Sequence, residues 1–375
     1  MAITAKQVKD LREMTGAGMM DCKKALTETD GDMDKAVEFL REKGLAGAQK
    51  KAGRTAIEGL SITALSADGK KAAVVEVNTE TDFAAGSDPF KEFVNNVAAQ
   101  VLDSTAADVD ALLAEKWIKD PSETVADEVA IQVGQKIREN IKIRRFARVE
   151  EQNGFVAAYV HAGGKIGVLV DFETDVVNDA VNEMGKNVAM QVAAMNPMYI
   201  SQDNISDEEK AHLRSLTVDS ALNDPASLPK PILNKLIDQA VSGKIWSDED
   251  IAIYEEKKSN MNFLFNFLSK EAAAQLAELA IKAKAEISEE KVFSGLVQGR
   301  VSKQYKDICL LDQIYVKAED GKQSVQKYIE EVAKANGAKI NVKAIVRFET
   351  GEGMEKQEED YAAEVAKTVA EAQGK

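Results

Sequence analysis

The first 54 residues carry apolar positions at the spacing of short helices. Val8 and Leu11 lie three positions apart on one helical face, and a glycine-containing run over 15–18 separates this helix from the next. The third helix is predicted to end at Gly44, because glycine is frequent just after helix C-termini. The pattern predicts a three-helix domain over 1–54, which is small enough to bury little core and is typical of a docking unit.

A pattern in which apolar residues alternate with others follows, and it occurs twice along the chain. Alternating apolar residues flank a turn at Gly69, and a similar pattern returns around Gly164. Gly59 and Gly154 are 95 positions apart, as are these two turn glycines. We interpret the repetition as an internal duplication that gives two hairpin-plus-helix subdomains. A chance match between short segments is the alternative.

The duplication sets the expected domain boundaries. A further match joins 80–82 to 173–175, both Glu-Thr-Asp, and it requires a slip of two positions. The first subdomain is expected over 55–150, and the second is expected over 151–178 and 290–355.

The rest of the chain is mostly helical. Prolines punctuate a helical pattern over 179–289, which we interpret as an insertion. Apolar runs over 308–311, 314–316 and 342–348 are strand-like, and a final helix module is predicted over 356–375. The fold class is therefore α+β, with three N-terminal helices, two related hairpin-plus-helix subdomains, a long helical insertion and a C-terminal helix.

The insertion contains the most apolar run of the chain, with Phe263, Phe265, Phe267 and Leu268. Full exposure of such a cluster is costly, so it is either buried within the insertion, which we favour, or covered in a homodimer. The run is too short to span a bilayer, and the sequence predicts no association with a membrane.

Composition narrows the possible functions. Of the 375 residues 45% are hydrophobic, and the formal net charge is -15. An acidic surface repels phosphate backbones, so direct binding of nucleic acid is not expected. Cys22 and Cys309 are too few for a disulfide framework, which indicates a cytoplasmic protein, and both are expected in the core.

Motifs for catalysis and cofactor binding are not found in the sequence. It contains no P-loop, and His161 and His212 lie too far apart for a common metal-binding motif. Neither a cofactor nor a bound metal is therefore expected. An enzyme using Asp82 or Asp175 as a general acid–base is one alternative, but neither residue has a neighbouring histidine, metal cluster or glycine-rich cradle in the sequence.

Two segments carry unusual residues beside turns. Met19 and Met20 are adjacent, and adjacent helical positions do not face the same core, so one of them is expected to point outwards. Asp82 and Phe83 follow a strand at a loop tip. They either form an exposed contact or, alternatively, Asp82 caps the next helix and Phe83 packs against the core.

Four distinctive segments follow one another along the chain, over 11–26, 76–83, 161–170 and 348–356. In this order they resemble the motifs of the elongation factor Ts family. One departure follows the Asp-Phe pair, where 84–87 reads Ala-Ala-Gly-Ser and the family usually has Val-Ala-Arg-Asn.

The resemblance implies a guanine nucleotide exchange factor, without covalent chemistry, for the GTPase elongation factor Tu. Its first domain would be ubiquitin-associated-like, and its insertion would mediate self-association. Thr81, Asp82 and Phe83 would enter near the Mg²⁺ and phosphate site of the partner. The residues expected to dock on the GTPase are Leu11, Met19, Met20, His161, Gly163 and Gly164.

The residues alone leave a rival hypothesis open, namely an acidic helical adaptor or holdase. Such a protein would share the small N-terminal domain but would not need the Asp82-Phe83 loop. His161 likewise has a second interpretation, because a histidine beside a glycine-rich turn is often a structural hydrogen-bonding group.

Overall fold

The computed structural model describes residues 3–354, apart from the side chain of Asn262. The helix predicted over 356–375 lies outside the described residues. Mixed helix and sheet confirm the α+β class. The described helices are α1 (Ala5–Thr15), α2 (Met19–Glu28), α3 (Met33–Lys51), α4 (Asp82–Gly86), α5 (Asp88–Asp103), α6 (Val109–Ala114), α7 (Val125–Ile131), α8 (Asp179–Met195), α9 (Asp207–Leu222), α10 (Lys230–Ser242), α11 (Asp248–Lys257), α12 (Lys270–Lys282), α13 (Lys284–Glu289), α14 (Lys291–Ile308) and α15 (Val325–Asn336). The strands are β1 (Glu58–Leu65), β2 (Lys71–Thr79), β3 (Lys142–Glu150), β4 (Gly154–His161), β5 (Ile166–Thr174) and β6 (Ile340–Glu349).

The chain divides into two compact units. One runs to Asn196 and resumes at Ile329, and the other is the helical unit Pro197–Tyr328. The insertion expected over 179–289 has different limits from this helical unit. The difference at the start arises because α8 packs against β4 and β5.

The N-terminal helices bury a small core, and the third is longer than predicted. Helix α3 continues to Lys51, so the predicted helix end at Gly44 is wrong. Gly44 instead faces Gly134 in a π-helical turn, where a Cβ on Gly134 would lie 2.6 Å from the Cα of Gly44. The glycine therefore permits close approach of two backbones and does not end the helix.

Two three-stranded antiparallel sheets form the centre of the first unit. Their strand orders are β1-β2-β3 and β4-β5-β6. Val74 and Leu169 belong to a buried cluster between the sheets, whereas Val75 packs with α5 on the opposite face of the first sheet. The alternation follows from the two-residue period of a strand. Helix α8 covers the second sheet in the same way.

The sheets are repeats of one arrangement, which supports the predicted duplication. Gly59 pairs with Asn78, and Gly154 pairs with Glu173, so both partners are 95 positions apart. Each central strand also carries a bulge at the equivalent place, beginning at Glu76 in the first repeat and Asp171 in the second. The match of 80–82 with 173–175 is wrong, because the pairing contains no two-residue slip.

Beyond the hairpins the repeats differ by an insertion. The buried positions of α5 and α8 are 91 positions apart. The equivalent buried pairs are Phe90 and Val181, Phe93 and Met184, Val97 and Val188, and Gln100 and Gln191. Since the hairpins are offset by 95, the first repeat has four more residues between its central strand and its helix. Helix α4 occupies this place.

The helical unit has its own core, in which Trp246, Leu276 and Phe293 are buried. The strands predicted over 308–311 and 314–316 are wrong, because α14 extends to Ile308 and only isolated bridges follow. Periodicity alone cannot assign apolar runs as short as these to a strand. Cys309 is buried, as expected.

The phenylalanine cluster is only partly buried within this unit. Leu264 and Leu268 lie in the core, but Phe263 and Phe267 are about half exposed, at 55% and 52%. Burial of the whole cluster, which the sequence favoured, is therefore wrong. The helical spacing places part of the run on the surface.

Candidate functional site

The turn between β2 and α5 presents an exposed aromatic side chain. Thr81 is the N-cap of α4 and accepts a hydrogen bond from Ala84 N at 3.1 Å. Asp82 begins the helix, and Phe83 is 87% exposed. The interpretation in which Asp82 caps the helix and Phe83 packs on the core is therefore wrong. Ala84 and Ala85 bury the other face of α4.

Glu139 holds the base of this turn. Its carboxylate accepts hydrogen bonds from Thr79 Oγ1 at 3.0 Å, from Thr81 N at 2.9 Å and from Thr81 Oγ1 at 2.7 Å. Hydrogen bonds to a charged acceptor are among the stronger ones in proteins. The backbone on the N-terminal side of Asp82 and Phe83 is therefore fixed to the segment that precedes β3.

The carboxylate of Glu80 holds the same turn through a second set of hydrogen bonds. Glu80 Oε1 accepts from Asn140 N at 2.6 Å, and Asn140 Nδ2 donates to Arg54 O at 2.6 Å. By contrast, the carboxylate of Asp82 has no hydrogen-bond or ion-pair partner within residues 3–354. An unpaired carboxylate and an exposed aromatic ring thus stand together on a fixed turn.

An exposed group of methionines lies on the N-terminal helices. Met14, Met19 and Met20 are 63%, 59% and 74% exposed, and we call them the methionine patch. One outward methionine was predicted in α2, and both are exposed. Leu11 is fully buried in the core of the three helices, so the expected surface role of Leu11 is wrong. Its helical spacing is that of a core position.

The methionine patch is held through Asp21 in α2. Asp21 receives a hydrogen bond from Lys43 and one of 2.6 Å from Arg138 Nη2. The hydrogen bond from Lys43, followed by the contribution of Arg138, holds the pKa of Asp21 below its ordinary value. Arg138 precedes Glu139 in the chain, so adjacent residues fix the methionine patch and the turn.

The tip of the β4–β5 hairpin carries the third predicted contact. His161 is exposed, and its Nδ1 lies 3.0 Å from Tyr159 Oη. Gly163 is exposed with a φ of +65°. Gly164 is buried, and a Cβ there would lie 2.7 Å from Leu60 Cδ2. Gly164 therefore shapes the hairpin tip and does not form part of its surface.

Two of the sequence motifs meet at a residue that sequence reasoning did not single out. Glu76 is fully buried, and its carboxylate accepts from Gly351 N at 2.8 Å, Arg144 Nη1 at 2.9 Å and Arg145 Nε at 2.6 Å. Burial raises the pKa of Glu76, but these donors outweigh burial and hold the pKa below its ordinary value. A glutamate inside an apolar strand was the sequence signal that could have identified Glu76. No sequence pattern pointed to Glu139.

The equivalent carboxylate of the second repeat has a different environment. Burial, with the hydrogen bond and charge of Glu151, raises the pKa of Asp171 to about 6. Lys343 donates to Glu151 at 2.9 Å. Among residues 3–354, the ion pair at these two acids comes from Lys343, whereas Glu76 faces two arginines.

Within residues 3–354, no group of three or more histidine, cysteine, aspartate or glutamate side chains is arranged to hold a metal ion. None of the helices in this range combines the length and apolar character that crossing a membrane requires.

The chain is similar to known proteins over nearly all of its length. A family model described as Elongation factor TS matches residues 80–352. A protein of Clostridium novyi named elongation factor Ts is 41% identical over 363 residues, which cover 97% of this chain and 97% of that protein. Its namesake in Clostridium kluyveri is 42% identical over 367 residues, with 98% and 99% covered. The namesake in Halothermothrix orenii is 41% identical over 369 residues, also with 98% and 99% covered.

Proposed function

The chain belongs to the elongation factor Ts family, and we propose that it promotes the release of GDP from the GTPase elongation factor Tu. The observation that carries this proposal is Phe83, which is 87% exposed on a turn that Glu139 fixes, beside the Asp82 carboxylate, which has no partner within residues 3–354. Aromatic side chains are enriched in the buried centre of protein–protein interfaces, so an exposed ring on a fixed turn suits contact with a partner. The proposed site of action is the cytoplasm.

The proposed mechanism needs no covalent step. A GTPase holds GDP through a phosphate cradle and Mg²⁺. Phe83 acts as a steric wedge against the elements around that cradle, and Asp82 brings negative charge close to the Mg²⁺ and the phosphates, with Thr81 fixing the backbone before them. Coupling between two ligands is reciprocal. The factor weakens the binding of GDP, stays on the nucleotide-free GTPase, and leaves when GTP enters.

Docking uses surfaces outside the turn. The methionine patch offers flexible, polarizable side chains that adapt to an apolar groove. His161 and Gly163 at the β4–β5 hairpin tip form a second contact with another domain of the GTPase. Gly164 supports that contact from below, because it is buried against β1.

The helical unit has a separate proposed role in self-association. Phe263 and Phe267 are exposed there, and a second copy of the chain is the occupant that we propose for them. Sedimentation of the chain and of its Phe263→Ser/Phe267→Ser variant tests this role. A monomeric wild-type chain would contradict it.

Release of a fluorescent GDP analogue from elongation factor Tu tests the proposed function. Substoichiometric factor should accelerate release, because each molecule acts repeatedly. The Phe83→Ala variant loses a side chain whose burial is worth roughly 2 kcal/mol, so release at limiting factor should slow more than tenfold. Ile281→Ala is the control, since Ile281 is also an exposed large apolar residue but lies in the helical unit and is not part of the proposed self-association surface.

The outcome separates the rival hypotheses. If Phe83→Ala lowers the maximal release rate more than it lowers docking affinity, the wedge is supported. Equal losses in both quantities would contradict the wedge. A stable complex without any acceleration would favour the adaptor or holdase function.

A further inference from the structure

The third strands of the two repeats, β3 and β6, occupy equivalent registers. The equivalent pairs are Phe146 and Ile345, Arg145 and Ala344, and Ile143 and Val342, each 199 positions apart. The same spacing relates the dipeptide that precedes β3, Arg138-Glu139, to Gly337-Ala338 before β6. A feature found in both repeats at these positions is therefore attributed to the scaffold. A feature found only in the first repeat is attributed to a role specific to that repeat.

The backbone supports this equivalence. Arg138 has a φ of +67°, and Gly337 has a φ of +62°. Glycine adopts this left-handed conformation freely, whereas a residue with a Cβ is strained in it. The first repeat thus retains a strained arginine where the second repeat uses glycine. The side chain of Arg138 is engaged, since its Nη2 donates to Asp21 Oδ2 at 2.6 Å.

One hydrogen bond is common to both repeats and belongs to the scaffold. Asn140 N donates to Glu80 Oε1 at 2.6 Å, and Lys339 N donates to Asp175 Oδ1 at 2.8 Å. These acceptors are 95 positions apart and the donors are 199 apart, as the repeat requires. In both repeats this hydrogen bond, which we call the scaffold latch, therefore ties the end of the central strand to the segment before the third strand.

The contacts of Glu139 have no equivalent in the second repeat. Ala338 has no side-chain acceptor, and Thr174, the counterpart of Thr79, donates to Val176 O instead. Glu139 accepts three hydrogen bonds from Thr79 and Thr81 in the repeat that carries the additional helix α4. The additional carboxylate and the additional turn occur together.

We infer that Arg138 and Glu139 are positioning residues for nucleotide exchange. Glu139 fixes the turn that presents Asp82 and Phe83, and Arg138 fixes helix α2 beneath the methionine patch. Because the two residues are adjacent, one dipeptide sets the geometry between the docking surface and the wedge. This inference rests on the proposed function.

Two variants copy the second repeat into the first. In Glu139→Ala the turn loses the carboxylate that accepts three of its hydrogen bonds. The maximal rate of fluorescent GDP release should then fall about tenfold or more, since misplaced groups act poorly. The concentration of factor that gives half the maximal rate should not change. Arg138→Gly should raise that concentration by up to about fivefold, the upper end expected for an exposed ion pair, without changing the maximal rate.

Stability and amide exchange separate positioning from damage to the fold. Arg138→Gly relieves a strained backbone, so its melting temperature should be equal to or above that of the wild type. In Glu139→Ala, hydrogen exchange should become faster at the amides of Thr81 and Ala84 but not within β2. Glu139→Gln keeps one carbonyl acceptor and should recover part of the rate. Asp175→Ala breaks the scaffold latch of the second repeat and is the matched control, with unchanged exchange kinetics.

The inference is overturned if Glu139→Ala releases GDP at the wild-type maximal rate, or if Asp175→Ala slows release equally. Phe83→Ala is measured alongside. If Phe83→Ala slows release and Glu139→Ala does not, the positioning role alone fails. If Phe83→Ala has no effect, the proposed function of the turn fails and the inference fails with it.

Discussion

Replacing Glu76 with alanine should destabilise the two-sheet unit without touching its surface. The carboxylate is fully buried and accepts hydrogen bonds from Gly351 N, Arg144 Nη1 and Arg145 Nε within 2.9 Å, and from Asn78 Nδ2 at 3.3 Å. The donors come from three parts of the unit, namely β2, β3 and the turn after β6. One side chain therefore connects the two sheets.

The expected loss follows from what remains after the substitution. Breaking a buried ion pair by removing one partner costs about 3–5 kcal/mol, because the other charge is left uncompensated. Arg144 and Arg145 retain 27% and 32% exposure, so water can reach them in part, and this favours the lower end of the range. Gly351 N also loses its acceptor, at a cost of about 1–3 kcal/mol. The lower ends of these two ranges together give an expected net loss of about 4 kcal/mol for Glu76→Ala.

The two tryptophans make the assay specific. Trp117 lies in the buried cluster of the first sheet, and Trp246 lies in the core of the helical unit. Urea unfolding is followed by fluorescence in a Trp246→Phe background, which reports the first sheet alone. Glu76→Ala in a Trp117→Phe background is the control. Fluorescence then reports the helical unit, which should unfold at an unchanged midpoint.

The dependence on pH tests the electrostatic origin of the loss. The pKa of Glu76 is lowered in the folded state from its ordinary value of 4.5. The carboxylate therefore contributes stability above about pH 4.5, and the contribution is lost as the pH falls through the folded pKa. The difference between wild type and Glu76→Ala should shrink in acid. A loss below about 1 kcal/mol at pH 7, or one that stays constant into acid, would refute the reasoning.

Three further predictions concern stability and docking. Gly134→Ala should cost about 1–3 kcal/mol in urea unfolding, because its Cβ would overlap a facing glycine backbone; an unchanged midpoint would contradict this contact. The folded-state pKa of Asp171, raised from 3.8 to about 6, means that stability falls as pH rises between these values. Asp171→Asn should abolish this fall and add at most about 3 kcal/mol at pH 7.5, but little at pH 4. A Met19→Ser/Met20→Ser variant should bind the GTPase at least about tenfold more weakly in a titration, whereas Met198→Ser, also exposed, should bind as wild type.

Local sequence patterns predicted the elements whose side chains follow a clear period. The N-terminal helices, both hairpins and strand β6 lie where the apolar spacing placed them. The repeat was visible in the glycines, because Gly59 and Gly154 each pass too close to a partner strand for a Cβ. Such constraints act over a few residues and therefore leave a mark in the sequence.

Patterns failed where a residue serves a distant contact. Gly44 has the composition of a helix end, yet it lies within α3 because Gly134 approaches its backbone. Leu11 belongs to a motif that implied surface contact, and packing of three helices buries it. The apolar residues 308–311 were compatible with a strand, but α14 ends at Ile308 and a 3-10 turn follows over Leu310–Asp312.

The α+β class, the internal repeat and the family could be predicted from the sequence, since these rest on local periods and on motifs in order. Which residues hold the turn at the candidate site depends on the tertiary structure. Glu139 is 58 residues from Thr81, and Gly351 is 275 residues from Glu76. No local pattern encodes a hydrogen bond across such separations, because the pairing of strands and the docking of sheets bring these groups together.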